Sequence, residues 1–357
     1  MNASEILKLR LKNSGLSNSP FRNARQAVSH LGAVQAQDFA AAKWALGLRV
    51  KNSTERTVEK DFNEGTILRT HVMRPTWHFV TPEDIRWMLE LTSPRVKSFL
   101  AYYNLKLDLD DALFAKSNAS IVRALQNRSY LTRQELKTVL EGIGIQTSVQ
   151  RLAHIIVWAE LDGLICSGPR RGKQFTYALL EERAPKAKKL LREEALSNLA
   201  ISYFTSHGPA QLTDFSWWSG LSVKDARIGL ELIKSKLKHA TLDGKTYWFF
   251  ARTKVASSKS LSAFLLSIYD EYTIAYKDRS DLSEARDIER MISMGNALTS
   301  VIILNDKVAG TWKRTLKKNR IEITLSPFRK FNKSEQRALK SEAARYGKFV
   351  GTPAVLV

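Results

Sequence analysis

Cysteine is nearly missing from this sequence: the single Cys166 cannot form an internal disulfide, and no Cys/His cluster has the spacing of a zinc site. Long apolar runs are missing too, since none approaches the ~18 consecutive residues of a membrane-spanning helix. The first ten residues, Met-Asn-Ala-Ser-Glu-Ile-Leu-Lys-Leu-Arg, hold neither the apolar core nor the processing site of a secretory signal. These absences point to a cytoplasmic, nucleoid-associated protein. Acidic residues are scarce beside basic ones, 35 against 56, which gives a formal net charge of +21. Such a surplus asks for a polyanion, with nucleic acid ahead of an anionic membrane surface, although a basic enzyme can also carry it for solubility alone. Standard catalytic signatures are absent: there is no phosphate-binding loop, no G-x-G-x-x-G after a strand, no H-E-x-x-H and no G-x-S-x-G elbow. No metal and no cofactor is expected.

What is present is a globular composition, 44% apolar and 25% charged over 357 residues, enough for two or three domains. The clearest unit covers residues 118–180. A helix begins at Ile121, and Thr132-Arg-Gln-Glu135 is a capping box that satisfies the first amides of a second helix. A third helix over about 147–162 sets Leu152, Ile155, Ile156 and Ala159 on one face. Two short strands then bracket a basic loop, Gly168-Pro-Arg-Arg-Gly172-Lys. Helix, capped helix, helix, basic hairpin is the winged-helix order. It recurs over 196–250, where His207-Gly-Pro209 ends one helix, Gln211 starts the next, Ser222 caps a third and Asp243-Gly244 turns a hairpin. A more irregular copy fits the first hundred residues, with a helix over 24–31, strands flanking Arg74-Pro75, and a helix start at Thr81-Pro-Glu-Asp84.

The C-terminal part differs. A strand, Asn305-Asp306 turn and second strand precede an alternating strand from Arg320 and a charged helix over about 333–346. From residue 307 to 348, 13 Lys/Arg stand against 3 Asp/Glu, so the basic surplus is concentrated here. The expected fold is α+β, mainly helical. Tandem winged-helix units occupy 1–100, 117–185 and 186–252, followed by a β-rich, barrel-like basic domain over 253–357.

Among side chains, His30, His154 and His239 fit apolar patterns better than a site. Trp217 and Trp218 could stack on bases but read better as core, and the charge run over 340–348 reads as a solvated face. Arg170, Arg171 and Lys173 project from the glycine-bracketed hairpin, where such a wing lies along a phosphate backbone. The stretch Leu31-Gly32-Ala-Val-Gln35-Ala-Gln37-Asp38-Phe is less easily assigned, because polar residues interrupt an apolar segment. In an extended backbone residues i and i+2 point the same way, so Gln35 and Gln37 could face one pocket, whereas a helix would splay them by ~200°. Gly32 supplies the break that ends the preceding helix. On the residues alone, a pair of structural amides satisfying buried backbone is the favoured reading.

Four blocks in order carry a family resemblance. They are Gly32-Ala-Val-Gln-Ala-Gln-Asp-Phe with Trp44-Ala-Leu-Gly-Leu-Arg49, Arg69-Thr-His-Val-Met-Arg-Pro-Thr-Trp-His-Phe-Val80, Phe264-Leu-Leu-Ser-Ile-Tyr-Asp270-Glu271-Tyr272 with Tyr276-Lys-Asp-Arg279, and Gly310-Thr-Trp312 with Pro327-Phe328. Together they resemble the AlkZ-type winged-helix DNA glycosylases of the AlkZ/YcaQ superfamily. The resemblance implies three winged-helix units and a β-rich domain around a DNA channel. It implies hydrolysis of the N-glycosidic bond of N7-alkylated purines, with N3-alkyladenine and interstrand cross-links as further substrates. It makes Gln35 and Gln37 the catalytic pair, in a pattern of Gln, an aliphatic residue, then Gln or Asp; Ala36 is a small occupant of the middle position. Asp38, Arg69, Arg74 and His78 become the supporting pocket, and Arg279 joins the hairpin cations in binding DNA. The expected partner is double-stranded DNA carrying alkylated purines, met by a monomer without membrane attachment.

An N7-alkylated purine is cationic and leaves without a strong acid. The enzyme must orient a water and stabilise an oxocarbenium-like sugar, which neutral amide dipoles can do. Nothing singles out a lysine as amine nucleophile, so a monofunctional hydrolase is expected. The alternative from another class is a non-catalytic winged-helix transcriptional regulator, the commoner use of the module. Fused copies, the β-rich C-terminal part and the paired glutamines weigh against it. An RNA-binding translation factor would need an aromatic RNA-recognition motif, and none is found.

Overall fold

The computed structural model describes residues 1–17, 19–250, 261–283, 286–287, 289 and 299–357. In the N-terminal third, side chains of Asn2, Asn23, Asp38 and Thr54 cap α1 (Ala3–Asn13), α2 (Ala24–Leu31), α3 (Phe39–Gly47) and α4 (Glu55–Glu64). Gly32 ends α2 at φ +81°, and a Cβ there would lie 3.2 Å from the Trp218 ring. The chain turns at once into β1 (Val34–Gln35), which joins β2 (Leu68–His71) and β3 (Trp77–Val80) in an antiparallel sheet of order β1-β3-β2. Gln35 lies opposite His78 in that register, and His71 opposite Trp77. The long α5 (Ile85–Lys106) starts later than the Thr81-Pro motif suggests. The Thr81 hydroxyl donates to the Asp84 carboxylate at 2.7 Å, and Asp84 also accepts from the Trp87 indole, so 81–84 forms a turn ahead of the helix.

The middle unit has a hydrophobic core of its own, built from Phe114, Ile121, Leu136, Leu140, Ile155 and Leu179 among others. It contains α6 (Asp111–Leu125), β4 (Leu131–Thr132), α7 (Arg133–Gly142), α8 (Val149–Leu161), β5 (Ile165–Ser167) and β6 (Thr176–Leu179), with strand order β4-β6-β5. The capping box at the start of α7 is formed: Glu135 accepts the Thr132 amide at 2.7 Å and the Thr132 hydroxyl accepts the Glu135 amide at 3.3 Å.

After the short α9 (Leu180–Arg183), α10 (Arg192–Ser206), α11 (Leu212–Ser219) and α12 (Val223–Ile233) lead into the hairpin β7 (Leu237–Leu242) and β8 (Lys245–Phe250). Asp243 and Gly244 turn that hairpin at φ +48° and +73°, as a tight two-residue turn requires. Tyr203, Phe215 and Trp218 of this group share one core with Leu31 and Trp44 of the N-terminal third. The expected boundary at 252–253 lies outside the described residues.

The C-terminal part comprises β9 (Ala263–Leu266), α13 (Glu271–Ile274), β10 (Val301–Leu304), β11 (Lys307–Leu316), β12 (Ile321–Pro327), α14 (Lys333–Val350) and β13 (Ala354–Leu356). The strand order is β13-β12-β11-β10-β9, with β13 parallel to β12 and the rest antiparallel. Among the described residues the two edge strands do not pair, and the barrel-like expectation is met in part, by a curled five-stranded sheet with α14 against both of its edge strands. Leu339, Ala343, Tyr346 and Phe349 form the buried stripe of α14, while Lys340 and Lys348 face solvent. This sheet is fastened to the N-terminal third by the Trp44 indole, whose Nε1 donates to the Leu265 carbonyl at 2.7 Å, and within the sheet the Trp312 indole donates to the neighbouring Leu266 carbonyl at 2.7 Å.

Candidate active site

β1 is too short to bury its own polar ends, and Gln35 finds its partners on other elements. Its side chain is buried to 9% exposure, with Oε1 accepting a 3.0 Å hydrogen bond from Arg74 Nη2. Arg74 sits in the β2–β3 turn, where Met73 takes φ +66° and donates its amide to the Thr92 hydroxyl. Arg74 also donates through Nη1 to the Trp218 carbonyl at 2.9 Å and approaches His78 Nε2 at 3.3 Å. His78 Nδ1 is 2.9 Å from the Thr76 carbonyl, which can only accept, so the proton sits on Nδ1 and Nε2 is left as acceptor for Arg74. Burial, with the Arg74 charge behind it, pushes the His78 imidazole down to about 3. His78 is therefore neutral at ordinary pH.

Beneath Gln35 lies Glu271, at 1% exposure. Its Oε1 accepts the Gln35 backbone amide at 2.9 Å, its Oε2 accepts the Trp218 indole at 2.9 Å, and His207 Nε2 is 3.4 Å from Oε2. Burial alone would raise this carboxyl, but His207, the Gln35 amide and Arg74 together hold it below its ordinary range. Asp270 beside it forms a fully buried two-pronged pair with Arg49, both contacts at 2.8 Å, and caps the Tyr272 amide.

Gln37, by contrast, is exposed, and its Oε1 accepts the Trp77 amide at 3.3 Å. Asp38 is occupied as the cap of α3, accepting the Ala41 amide at 2.9 Å. Arg69 lies between the Trp77 and Phe175 rings, 4.2 Å and 4.7 Å from their centroids, and donates to the Ala36 carbonyl at 3.0 Å. Burial pulls its guanidinium down to about 10, still charged at neutral pH. Gln35, Arg74 and His78 thus form one bonded group, with Gln37 and Arg69 on the neighbouring strand ends.

From Trp77 and Arg69 a groove of about 550 Å³ runs past Phe175 to the middle unit, where Arg133, Lys137 and Lys173 line it. The three hairpin cations do not behave alike. Lys173 is exposed, Arg171 is exposed and paired with Glu135 at 2.6 Å, but Arg170 is turned inward. Its amide donates to Asn63 at 2.8 Å, its guanidinium meets Glu59 at 3.2 Å and stacks near Phe39 and Phe175. Arg279 is half-buried, its Nε has no hydrogen-bond partner, and its charge bears on Arg74.

Sequence reasoning read Trp217 as core and gave Glu271, quoted within its family block, no role. Trp218 is core, but Trp217 is 46% exposed beside Arg74, its indole donating to the Ile274 carbonyl at 3.3 Å. The tryptophan pair splits because α11 docks tightly on the β2–β3 turn: a Cβ on Gly220 would meet the Met73 carbonyl at 1.9 Å. For Glu271, a pair of acids set among aromatics, Tyr-Asp-Glu-Tyr over 269–272, was the available signal. Among the described residues no three His, Cys, Asp or Glu side chains gather to share a metal ion, and no helix is long and apolar enough to cross a membrane.

A family model described as DNA glycosylase AlkZ-like matches residues 28–349. The interstrand DNA cross-link repair glycosylase of Streptomyces sahachiroi is 21% identical over 364 residues, covering 97% of this chain and 96% of that protein. The solved structure of Streptomyces sahachiroi DNA glycosylase AlkZ matches with a TM-score of 0.82 at 19% identity, over 100% of both chains. At that identity the structural likeness speaks for the fold.

Proposed function

Because this chain belongs to the AlkZ-like DNA glycosylase family, we propose that it hydrolyses the N-glycosidic bond of N7-alkylated purines in duplex DNA, with Gln35 and Gln37 as its catalytic residues. The observation that carries this reading is the Gln35 amide, locked in one orientation by Arg74 at 3.0 Å inside a buried polar group. Such a group has no evident purpose in a regulator that only binds sequence. A cationic leaving purine removes the need for a strong acid, and preorganised amide dipoles act where charge develops. Each glutamine oxygen uses one lone pair on a protein donor and keeps the other. Gln37, exposed, is assigned to orient the water; Gln35, deeper, faces the sugar cation. Arg74, His78 and Arg69 support them as positioning residues, and Asp38 contributes by fixing the start of α3.

Helices α6–α8 with their three-stranded sheet, α10–α12 with β7 and β8, and the N-terminal elements are read as winged-helix units. The groove cations and the exposed Lys313, Lys317, Lys318 and Arg320 at the β11–β12 hairpin are assigned to phosphate contacts. The named action of the Streptomyces relative on interstrand cross-links extends the proposed substrates to cross-linked N7-guanines. The protein acts as a cytoplasmic monomer, without cofactor, and leaves the strand intact.

The test uses duplexes bearing single N7-methylguanine, N3-methyladenine or cross-linked N7 positions, with released bases identified by mass. Free N7-methylguanine is expected, with strand breaks appearing only after heat or alkali. Duplex binding without release of any base would overturn the glycosylase reading in favour of a regulator.

A further inference from the structure

Burying an ionised carboxylate is unfavourable unless donors and a countercharge surround it. Glu271 has both. The Gln35 backbone amide and the Trp218 indole each donate to it at 2.9 Å, His207 Nε2 lies 3.4 Å from its Oε2, and the Arg74 guanidinium is the positive charge that bears on it. The Arg49–Asp270 pair fixes the backbone of its helix on the preceding residue. Packing alone does not call for the charge, since a glutamine of the same shape could accept one of these bonds. What the charge faces is a site rich in cations: Arg74 stands on Gln35, and Arg279 is close enough to disfavour the Arg74 charge. A cationic purine and an oxocarbenium-like sugar would be repelled by those two guanidinium groups.

We propose that Glu271 is a positioning residue that holds the Gln35 backbone at the pocket and supplies the fixed negative charge that lets a cationic reacting group settle beside Arg74 and Arg279. This rests on the glycosylase reading above. Glu271 itself forms no bond to substrate, because both its oxygens are enclosed by donors.

The full-length protein is titrated with two duplexes that differ at one position, a neutral tetrahydrofuran abasic residue or a protonated pyrrolidine mimic of the sugar cation. Wild type is expected to prefer the cationic duplex by about tenfold or more, the scale of a charge pair several ångströms apart at protein-like dielectric. Glu271→Gln should lose most of that preference while tetrahydrofuran binding stays nearly unchanged. Arg74→Gln should move the preference the other way, and it reads the same field if Glu271→Gln does not fold. An unchanged preference in Glu271→Gln, or an equal fall on both duplexes, would reduce Glu271 to a structural role. So would an Arg74→Gln preference no higher than wild type. The parent reading fails separately, through absence of N7-methylguanine release by the wild-type protein.

Discussion

At Gln35 the amide oxygen faces an arginine, a donor with nothing to accept, so the side chain can sit only one way round. At Gln37 a backbone amide does the same work more loosely, at 3.3 Å. Replacing either with alanine should slow single-turnover base release by roughly tenfold to a hundredfold, below the ~10²–10³ cost of losing an oxyanion donor, because the leaving group is already activated. Anisotropy with undamaged duplex should show nearly wild-type binding, since neutral amides add little to phosphate affinity. His78 gives a pH signature. Its folded pKa, about 3, is depressed below the unfolded value near 6.5, so its contribution to stability is complete above pH 6.5 and shrinks as pH falls towards 3. Each unit in that window removes up to about 1.4 kcal/mol, and melting curves of His78→Gln should show a shallower decline than wild type between pH 6.5 and 4. Equal slopes would contradict a buried neutral imidazole. The i, i+2 spacing made the two glutamines visible in the sequence. Glu271 was not, because its partners Gln35 and Trp218 lie 236 and 53 residues away.

Elements were legible where their signals are local. The Thr132–Glu135 box, the Asp243-Gly244 turn and the charged helix from about 333 each depend on a few neighbouring residues, and each forms. Signals that depend on docking were not. Trp217 and Trp218 are adjacent, yet only contact between α11 and the β2–β3 turn decides which of them reaches solvent. Arg170 reads as a wing cation until Glu59 and Asn63 of the α4 helix are brought beside it. Arg49–Asp270 is a fully buried ion pair that joins the end of α3 to α13. Removing one partner leaves a buried charge alone, so Arg49→Met should lower stability by about 3–5 kcal/mol in a denaturant titration. A loss below about 1 kcal/mol would mean that the pair is not the fastening the geometry suggests.

Across the whole molecule, the sequence blocks that carry the family resemblance meet in space. Gln35 bonds to Glu271, Arg49 to Asp270, Arg74 to Gln35, and the Trp44 and Trp312 indoles take consecutive carbonyls of β9. A one-dimensional pattern cannot display that convergence, which is why the order of the blocks was readable and their geometry was not. The net charge of +21 has its own consequence at this scale. Changing Arg133, Lys137 and Lys173 together to alanine should weaken binding to every duplex alike and reduce the salt slope by roughly one to three, about 0.9 per lost phosphate contact. Arg170→Ala should instead show itself in the melting temperature, and an unchanged slope in the triple variant would move the groove off the DNA. The central claim is tested most directly by single-turnover release of N7-methylguanine from duplex DNA, comparing wild type with a folded, DNA-binding Gln35→Ala/Gln37→Ala double variant. The catalytic assignment predicts that release falls by at least a hundredfold, nearer the full cost of an unsupported transition state; release at the wild-type rate would make the glutamines structural and contradict it.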